Sequence, residues 1–251
     1  MNFIQTFKLS ISLAISEFKL RNERTYLGLI WYLLGPLLLF VLLLLVFHNR
    51  LGNNIESYPL YLLLGIIIFN FFQKTTTSAA NGIIQNEGLI KSINFPTESI
   101  VISIVLRNIF EHLFEIIVFM IFLLFFNIPI VGIIFYILIL LIMSLFIYGV
   151  SLILASLAVF FADINNVWTF LARLLWFATP IFYAVGGQTR LFTFNLFNPL
   201  YHFITVSRDI IIYQKMPEWW MIGGMFGFIL IFFVIGLIVF NKTKYKFAEM
   251  I

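Results

Sequence analysis

The sequence contains no cysteine and very little charge. Of its 251 residues only 10% are charged, whereas soluble domains carry about 25%. The lack of cysteine excludes a disulfide framework and any thiolate metal site. The Lys and Arg residues are spread thinly along the chain and form no basic stripe, so we expect no nucleic acid partner.

Sequence signatures of enzymes and of nucleotide-binding proteins are also missing. The three His residues are scattered and show no metal-binding spacing, and neither GxxxxGKS nor GxxxxGKT occurs. We therefore expect no catalytic site, cofactor or metal in this chain, and ATP could act on it only through another subunit. If the chain drives uphill transport, the energy must come from another subunit or from an ion gradient. The candidate carboxylates Glu111, Glu115 and Asp163 all lie towards one side of the predicted membrane, which disfavours ion coupling.

Apolar side chains are abundant instead. Hydrophobic residues make up 62% of the chain, and 32 residues are Phe. A water-soluble domain of this length could not bury so much apolar surface, so the surrounding solvent must be lipid. We predict an all-α membrane protein in which residues 1–251 form a single membrane domain with six spans. The predicted spans are residues 29–47, 58–78, 97–126, 131–161, 167–185 and 219–241.

The segment before the first span predicts an amphipathic helix over residues 3–23. Its apolar residues recur every three or four positions and therefore share one helical face. They are Ile4, Phe7, Ile11, Ile15 and Phe18. Such a helix lies in the headgroup plane of the membrane with its apolar face towards the lipid. The alternative is an ordinary helix packed on another part of the protein.

Residues 186–218 fit neither a span nor a solvated loop. Gly, Pro and charged residues interrupt the segment too often for a clean span, but it is too apolar for a loop in water. We predict two re-entrant helices that dip into the outer half of the membrane. Broken backbone at that depth requires burial in protein or a cavity.

The distribution of basic residues predicts the orientation of the chain. Six spans place both termini on one side, where the terminal segments and the loop after the second span hold eight Lys and Arg residues against four opposite. The positive-inside rule then makes both termini cytoplasmic.

The polar stretch at residues 82–95 separates the second span from the third. Gly82 and Gly88 bracket a short helical segment, which Asn86 and Glu87 can cap. On the cytoplasmic side it is one of the few parts that a soluble partner could touch, so we predict a docking loop. The alternative is an ordinary polar loop that transmits nothing.

A few polar and aromatic side chains inside the spans are candidates for function. Arg107 and Glu111 are four residues apart, so they form either a structural ion pair within one helix or a polar lining for a substrate. Arg173 needs a partner from elsewhere, such as Glu111 or Asp163, or it contacts a substrate. The aromatic residues around it either pack against protein and lipid or stack on sugar rings. These include Trp168, Trp176, Phe177 and Tyr183.

Seven motifs in order resemble permease subunits of polysaccharide-exporting ABC transporters, the O-antigen export type in particular. The motifs are Thr25–Trp31 followed by Pro36, Asn86–Lys91 followed by Phe95 and Pro96, Phe161–Asp163, Thr179–Ile181 with Tyr183, Asn198–Leu200, Ser207–Asp209 and Phe240–Glu249. One departure is Ala162, which stands where that family often has Arg before Asp163.

The resemblance implies a homodimer in the bacterial cytoplasmic membrane with two ATP-binding cassette subunits, which carry the ATP and Mg²⁺. It also implies a lipid-linked glycan as substrate, carried on a polyprenyl pyrophosphate. Three sets of residues follow from it. The coupling residues are Asn86, Glu87, Gly88, Leu89, Ile90 and Lys91, with Arg21 and Arg24 from the N-terminal helix. The pore residues are Trp168, Arg173, Trp176, Phe177 and Tyr183, and the gate residues are Pro180, Asn198, Pro199 and Arg208.

Three alternatives stay open at this point. The same fold could export teichoic acid, capsule or a small lipophilic compound. A protein of another class, an integral-membrane glycolipid enzyme, would need a His or carboxylate constellation at one membrane surface. The third alternative is an assembly subunit that transports nothing.

Overall fold

The computed structural model describes residues 3–23, 30–52, 55–92, 95–186 and 188–251. These residues fold into helices joined by turns, without a strand among them. The helices are α1 (Phe3–Glu23), α2 (Ile30–Leu51), α3 (Tyr58–Gln85), α4 (Glu87–Ser92), α5 (Glu98–Phe125), α6 (Gly132–Phe160), α7 (Ile164–Ala178), α8 (Thr189–Leu196), α9 (Pro199–Ile211), α10 (Trp219–Thr243) and α11 (Phe247–Met250).

Five helices in the described part of the chain are long and apolar enough to cross a membrane. They are α2, α3, α5, α6 and α10, which correspond to the first four predicted spans and the last. The all-helical membrane fold is therefore confirmed, and a sixth crossing stays a prediction.

The helix in the place of the predicted fifth span is shorter than expected. α7 has 15 residues, so at about 1.5 Å per residue it extends about 22 Å and falls short of a core of about 30 Å. It ends at Ala178 because Thr179 precedes Pro180 and has extended backbone, with ψ 135°. A residue before proline is driven out of the helical region. The prediction that this helix continues to Val185 is wrong.

The centre of the bundle is α3. Its residues from Leu60 to Phe69 are buried without interruption, because α2, α5, α6, α7 and α9 all pack around this helix. By contrast, α2 and α10 leave most of their apolar residues on the outside, as helices facing lipid do. A displacement of α3 would therefore reach most of the protein.

Small residues let α6 and α10 approach closely. A Cβ atom added to Gly149 would lie 2.6 Å from the backbone of Phe232, and one added to Gly236 would collide with Gly149. Close approach through small residues is the usual way in which helices pack in membranes, where the hydrophobic effect does not drive association.

The amphipathic helix predicted near the N-terminus is α1, and one of its faces packs on α5. Ser10 and Ala14 are fully buried, and the Ser99 hydroxyl of α5 donates to the Thr6 carbonyl at 3.2 Å. Part of the predicted apolar face is left outside, with Ile4 at 67% exposure and Ile15 at 42%, whereas Phe18 stacks on Phe114 of α5. An exposed apolar stripe of this kind suits contact with lipid, and the position of α1 in the headgroup plane stays a prediction.

Residues 188–212 contain the two short helices expected there, α8 and α9. Most of α9 is buried, and its core residues include Leu200, Phe203 and Ile204. The helix packs on α6 and α10. The depth of α8 and α9 in a membrane stays a prediction.

Candidate functional site

The predicted docking stretch folds as the end of α3, a single junction residue and α4. The junction is Asn86, whose φ of −105° and ψ of 25° break the helix. Its side-chain amide donates to the Gly82 carbonyl at 2.9 Å, and its own carbonyl accepts from the Leu89 amide at 3.0 Å. The segment Asn86–Lys91 that was predicted as a coupling helix is therefore helical from Glu87 onwards.

The two glycines of this stretch do not bracket α4 as predicted. Gly82 lies inside α3, where an added Cβ would collide with the Ile104 side chain of α5, so it permits a close contact between these helices. Gly88 lies inside α4 and has open space around it. The bracketing prediction is wrong because close packing of two helices, rather than a turn, requires Gly82.

One face of α4 is exposed and the other packs on the protein. Glu87, Gly88 and Lys91 face outwards, and the Lys91 ammonium pairs with the Glu87 carboxylate at 2.6 Å. Ile90 packs against an apolar cluster that contains Phe247 of α11. Since the C-terminal helix backs α4, the exposed face is a small, supported surface at one end of the bundle.

The C-terminal segment is itself held to the start of α5. Lys244 and Glu98 form an ion pair at 2.6 Å, and Phe247 is fully buried against Phe240 and Phe160. Of the other residues assigned to coupling, Arg21 lies in the last turn of α1 and Arg24 lies outside the described residues.

The predicted pore residues divide between two faces of α7. The Trp168 indole donates to the Thr76 hydroxyl of α3 at 3.1 Å, and the Trp176 ring meets Phe69 edge-on at 4.9 Å. Both Trp side chains therefore pack on α3.

The other face of α7 points away from the bundle. Phe177 is 61% exposed, and Arg173 is also exposed and has no ion-pair partner among the described side chains. Glu111, one partner considered for Arg173, pairs with Lys74 instead. Tyr183 folds back on the helix end, where its hydroxyl donates to the Ala178 carbonyl at 2.9 Å.

The predicted gate residues come together at the end of the bundle opposite α4. Arg208 of α9 is only 2% exposed and donates to three backbone carbonyls. The acceptors are Tyr61 at 2.9 Å, Pro180 at 2.8 Å and Ile181 at 2.9 Å. A buried guanidinium is costly unless its hydrogen bonds are satisfied, so this arrangement ties the Pro180 segment to α3. We call Arg208, Tyr61 and residues 180–183 the carbonyl clamp.

The carbonyl clamp binds the Arg208 guanidinium through backbone carbonyls rather than through a carboxylate. The adjacent Asp209 pairs with Lys215 at 3.2 Å rather than with Arg208. Burial raises the pKa of the Asp209 carboxyl above its ordinary value, and the Lys215 ammonium opposes that rise. The positive charge of Arg208 is thus balanced by backbone dipoles and by the face of the Tyr61 ring.

Asn198 and Pro199 start α9 and fix it to the same segment. The Asn198 side chain accepts from the Leu200 amide at 3.1 Å as an N-cap, and Pro199 occupies the first helical position. The Asn198 amide also donates to the Thr179 hydroxyl at 2.9 Å. The four predicted gate residues therefore belong to one connected structure.

Sequence reasoning missed several members of this structure. Tyr58 donates to the Phe182 carbonyl at 2.9 Å, and Tyr61 shares its hydroxyl proton between the Pro180 and Tyr183 carbonyls. Gly65 leaves room for Arg208, since an added Cβ would lie 2.6 Å from Nη2. In the sequence both Tyr residues are indistinguishable from aromatics at a membrane boundary, so no pattern identified them.

Arg107 and Glu111 of α5 pair with other helices rather than with each other. Arg107 binds Glu17 of α1 at 2.5 Å, and Glu111 binds Lys74 of α3. The predicted pair between Arg107 and Glu111 is therefore wrong. Glu115 accepts a 2.8 Å contact from His112, whose other nitrogen lies 2.8 Å from the Tyr136 hydroxyl. Each intramembrane charge on α5 thus has a partner, as burial in an apolar bundle requires.

These features define a class of protein: a multi-pass helical membrane protein with a small supported surface at one end and a clamped, proline-containing segment at the other. The chain belongs to the ABC-2 type transporter family, which matches residues 9–212.

Proteins similar over nearly the whole length have been named for glycan transport. An O-antigen export system permease protein RfbA of Klebsiella pneumoniae is 28% identical, over 98% of this chain and 95% of that protein. A protein of the same name in Myxococcus xanthus is 22% identical, over 97% and 95%. The polysialic acid transport protein KpsM of Escherichia coli is 24% identical, over 93% and 92%.

Family membership confirms the resemblance found in the sequence motifs. The chain is a multi-pass membrane subunit of a transporter rather than an enzyme, and its family implies pairing with ATP-binding cassette subunits.

Proposed function

We propose that the chain is the membrane subunit of an ATP-driven exporter that moves lipid-linked, O-antigen-type polysaccharide across the bacterial cytoplasmic membrane. Similarity over nearly the whole chain to O-antigen export permeases is the observation that carries this proposal. ATP and Mg²⁺ would be bound by the partner subunit, because this sequence has no phosphate-binding loop. Both termini and α4 face the cytoplasm in this arrangement.

The exposed face of α4 is the surface on which the ATP-binding subunit docks. Asn86 joins α4 to α3. On the side of α4 that faces the protein, Ile90 packs against the apolar cluster that contains Phe247 of α11. A push on α4 therefore moves α3, which extends about 36 Å from Gln85 to Tyr61 at about 1.5 Å per residue. Because Tyr61 belongs to the carbonyl clamp, one rigid helix links the docking surface with the opposite end.

Two copies of the chain form the transport path. The outer face of α7 carries Arg173 and Phe177, and α2 leaves Leu38, Leu42 and Leu45 exposed. These surfaces have no cover within the described chain, and both helices pack on α3. In a homodimer they face the second copy and the passing glycan, which matches the role predicted for Arg173 and Phe177.

A second cargo of the same class is polysialic acid, which the similarity to a polysialic acid transport protein favours. The two cargoes are distinguished by isolating the glycan that accumulates inside cells when export stops and determining the lipid to which it is attached.

The test is deletion of the chain from the host cell, followed by complementation. Surface polysaccharide is expected to disappear while lipid-linked glycan accumulates in the cytoplasmic membrane. Complementing chain, affinity-purified in detergent, is expected to bring an ATP-binding cassette protein with it. Unchanged surface polysaccharide in the deletion strain would contradict the proposed function.

A further inference from the structure

A cavity lies against the carbonyl clamp and shares Tyr61, Pro180 and Arg208 with it. Its volume is about 430 Å³, within the range of roughly 300–1,000 Å³ typical of small-molecule sites. It is formed by the turn after α7, by α8 and α9, and by the start of α10. Its lining includes Phe192, Tyr201, Tyr213, Trp220, Asp209 and Glu218. We call it the rim cavity.

Aromatic rings give the rim cavity flat apolar walls. Phe192 and Trp220 meet edge-on with their centroids 5.8 Å apart, and they are 37% and 39% exposed. The Trp220 indole nitrogen donates to the Glu218 carboxylate, so the ring has a defined orientation. Exposed ring faces of this kind pack against the apolar C–H faces of a ligand that is polar at its edges.

The charged groups of the rim cavity are suited to hydroxyl donors. Asp209 and Glu218 contribute carboxylate oxygens, which only accept hydrogen bonds when ionised. The one cation in the lining, Arg208, is 2% exposed and directs its N–H groups to carbonyls of the clamp. Asp209 already pairs with Lys215, so Glu218 is the carboxylate that a ligand meets without a paired cation. It repels an anionic ligand, whereas it accepts hydrogen bonds from neutral hydroxyl groups.

We propose that the rim cavity binds uncharged sugar units of the exported glycan as the glycan leaves the transport path. Flat C–H faces and equatorial hydroxyl groups are the chemistry that an aromatic wall with carboxylate acceptors recognises. This inference rests on the proposed function for the identity of the cargo and for the outward direction of this end of the bundle. The cavity discriminates against acidic sugars, because Glu218 repels a carboxylate.

The test uses the full-length chain in lipid nanodiscs and a panel of neutral disaccharides of glucose, galactose, mannose and rhamnose. Binding is measured by saturation-transfer NMR at millimolar concentrations, with a glucuronic acid disaccharide as the acidic probe. At least one neutral disaccharide is expected to bind and the acidic one is not. Loss of one ring contact weakens binding about fivefold, so Trp220→Ala is expected to raise the Kd by about that factor.

Trp219→Ala is the matched control, because Trp219 is the adjacent residue, is 81% exposed and does not line the cavity. It is expected to leave the Kd unchanged. Glu218→Gln removes the negative charge at an exposed position, so it is expected to weaken the binding of neutral disaccharides and to allow the acidic disaccharide to bind. The inference is overturned if no neutral disaccharide binds, if Trp219→Ala weakens binding as much as Trp220→Ala, or if the acidic disaccharide binds wild-type protein more tightly.

The deletion strain separates this inference from the proposed function. If deletion removes surface polysaccharide but the purified chain binds no neutral disaccharide, the proposed function stands and sugar binding in the rim cavity is overturned. Sugar binding that depends on Trp220, in a chain whose deletion leaves surface polysaccharide intact, supports the rim cavity and overturns the proposed function.

Discussion

Arg208 and Tyr61 are 147 residues apart in the sequence, yet they stack on each other and donate to the same carbonyl. The guanidinium carbon lies 3.3 Å from the centre of the Tyr61 ring. Arg208 Nη1 and the Tyr61 hydroxyl both reach the Pro180 carbonyl, at 2.8 Å and 3.2 Å. Two helices thus hold one proline-containing turn in place at the end of the bundle.

Replacing Arg208 is expected to destabilise this end of the protein strongly. Arg208→Gln removes the guanidinium bonds to three carbonyls, of which the Pro180 carbonyl keeps the Tyr61 hydroxyl as a donor. Each buried group left without a partner costs about 1–3 kcal/mol. Lys would not restore the clamp, because a single ammonium cannot reproduce the planar fork of donors. Thermal unfolding in detergent should show a lower Tm for both variants. The control is Arg190→Gln on exposed α8, and an equal loss in the control would contradict the clamp.

Gly65 is expected to be intolerant of a side chain for a reason specific to this clamp. In Gly65→Ala the new methyl group would lie 2.6 Å from Arg208 Nη2 and 3.2 Å from Ile181, so the guanidinium must move. We expect a lower Tm and reduced export. Gly223→Ala in α10 is the matched change, since open space surrounds that position. If both variants behave like wild type, Arg208 does not depend on the space that Gly65 provides.

Reversing the charge on α4 is expected to uncouple ATP turnover from export. Glu87→Arg breaks an exposed pair with Lys91 that contributes only about 0.3–0.5 kcal/mol, so folding should be unaffected. Export per ATP hydrolysed, measured with the reconstituted partner subunit, should fall at least severalfold. Glu56→Arg reverses an exposed charge at the opposite end of α3 and should couple normally. Normal coupling in Glu87→Arg would remove the proposed role of α4. Gly88→Pro is a weaker test, because the first turn of a helix accepts proline.

The ion pairs of α5 predict which double substitutions are coupled. Arg107 and Glu17 are partly buried and bind at 2.5 Å, so Arg107→Ala and Glu17→Ala should be non-additive in unfolding free energy. A coupling energy of about 0.5–3 kcal/mol is expected for groups in contact. Arg107→Ala combined with Glu111→Ala should be closer to additive, because Glu111 binds Lys74. Greater coupling in the second cycle would favour the pair within the helix that spacing alone suggests.

Some of the site could be predicted because its signals are local. The two short helices expected between residues 186 and 218 follow from the Gly, Pro and charged residues that interrupt this apolar segment, and α8 and α9 lie there. The coupling helix follows from a short polar stretch between two long apolar runs, and α4 lies there. Each of these depends on backbone rules that act within a few residues.

The sequence by itself determined that the chain is helical and embedded in a membrane. Long apolar runs are stable only in lipid, and a helix forms the backbone hydrogen bonds that lipid cannot supply. It also determined where most of the spans lie. The tertiary structure alone decided which charges pair, which Trp side chains turn inwards to α3, and why Gly65 must be small. Those outcomes depend on how far each helix is rotated about its axis and how closely two helices approach. Spacing along one helix carries no information about either quantity, so the partnership of Arg208 with Tyr61 appears only when α3 and α9 are packed together.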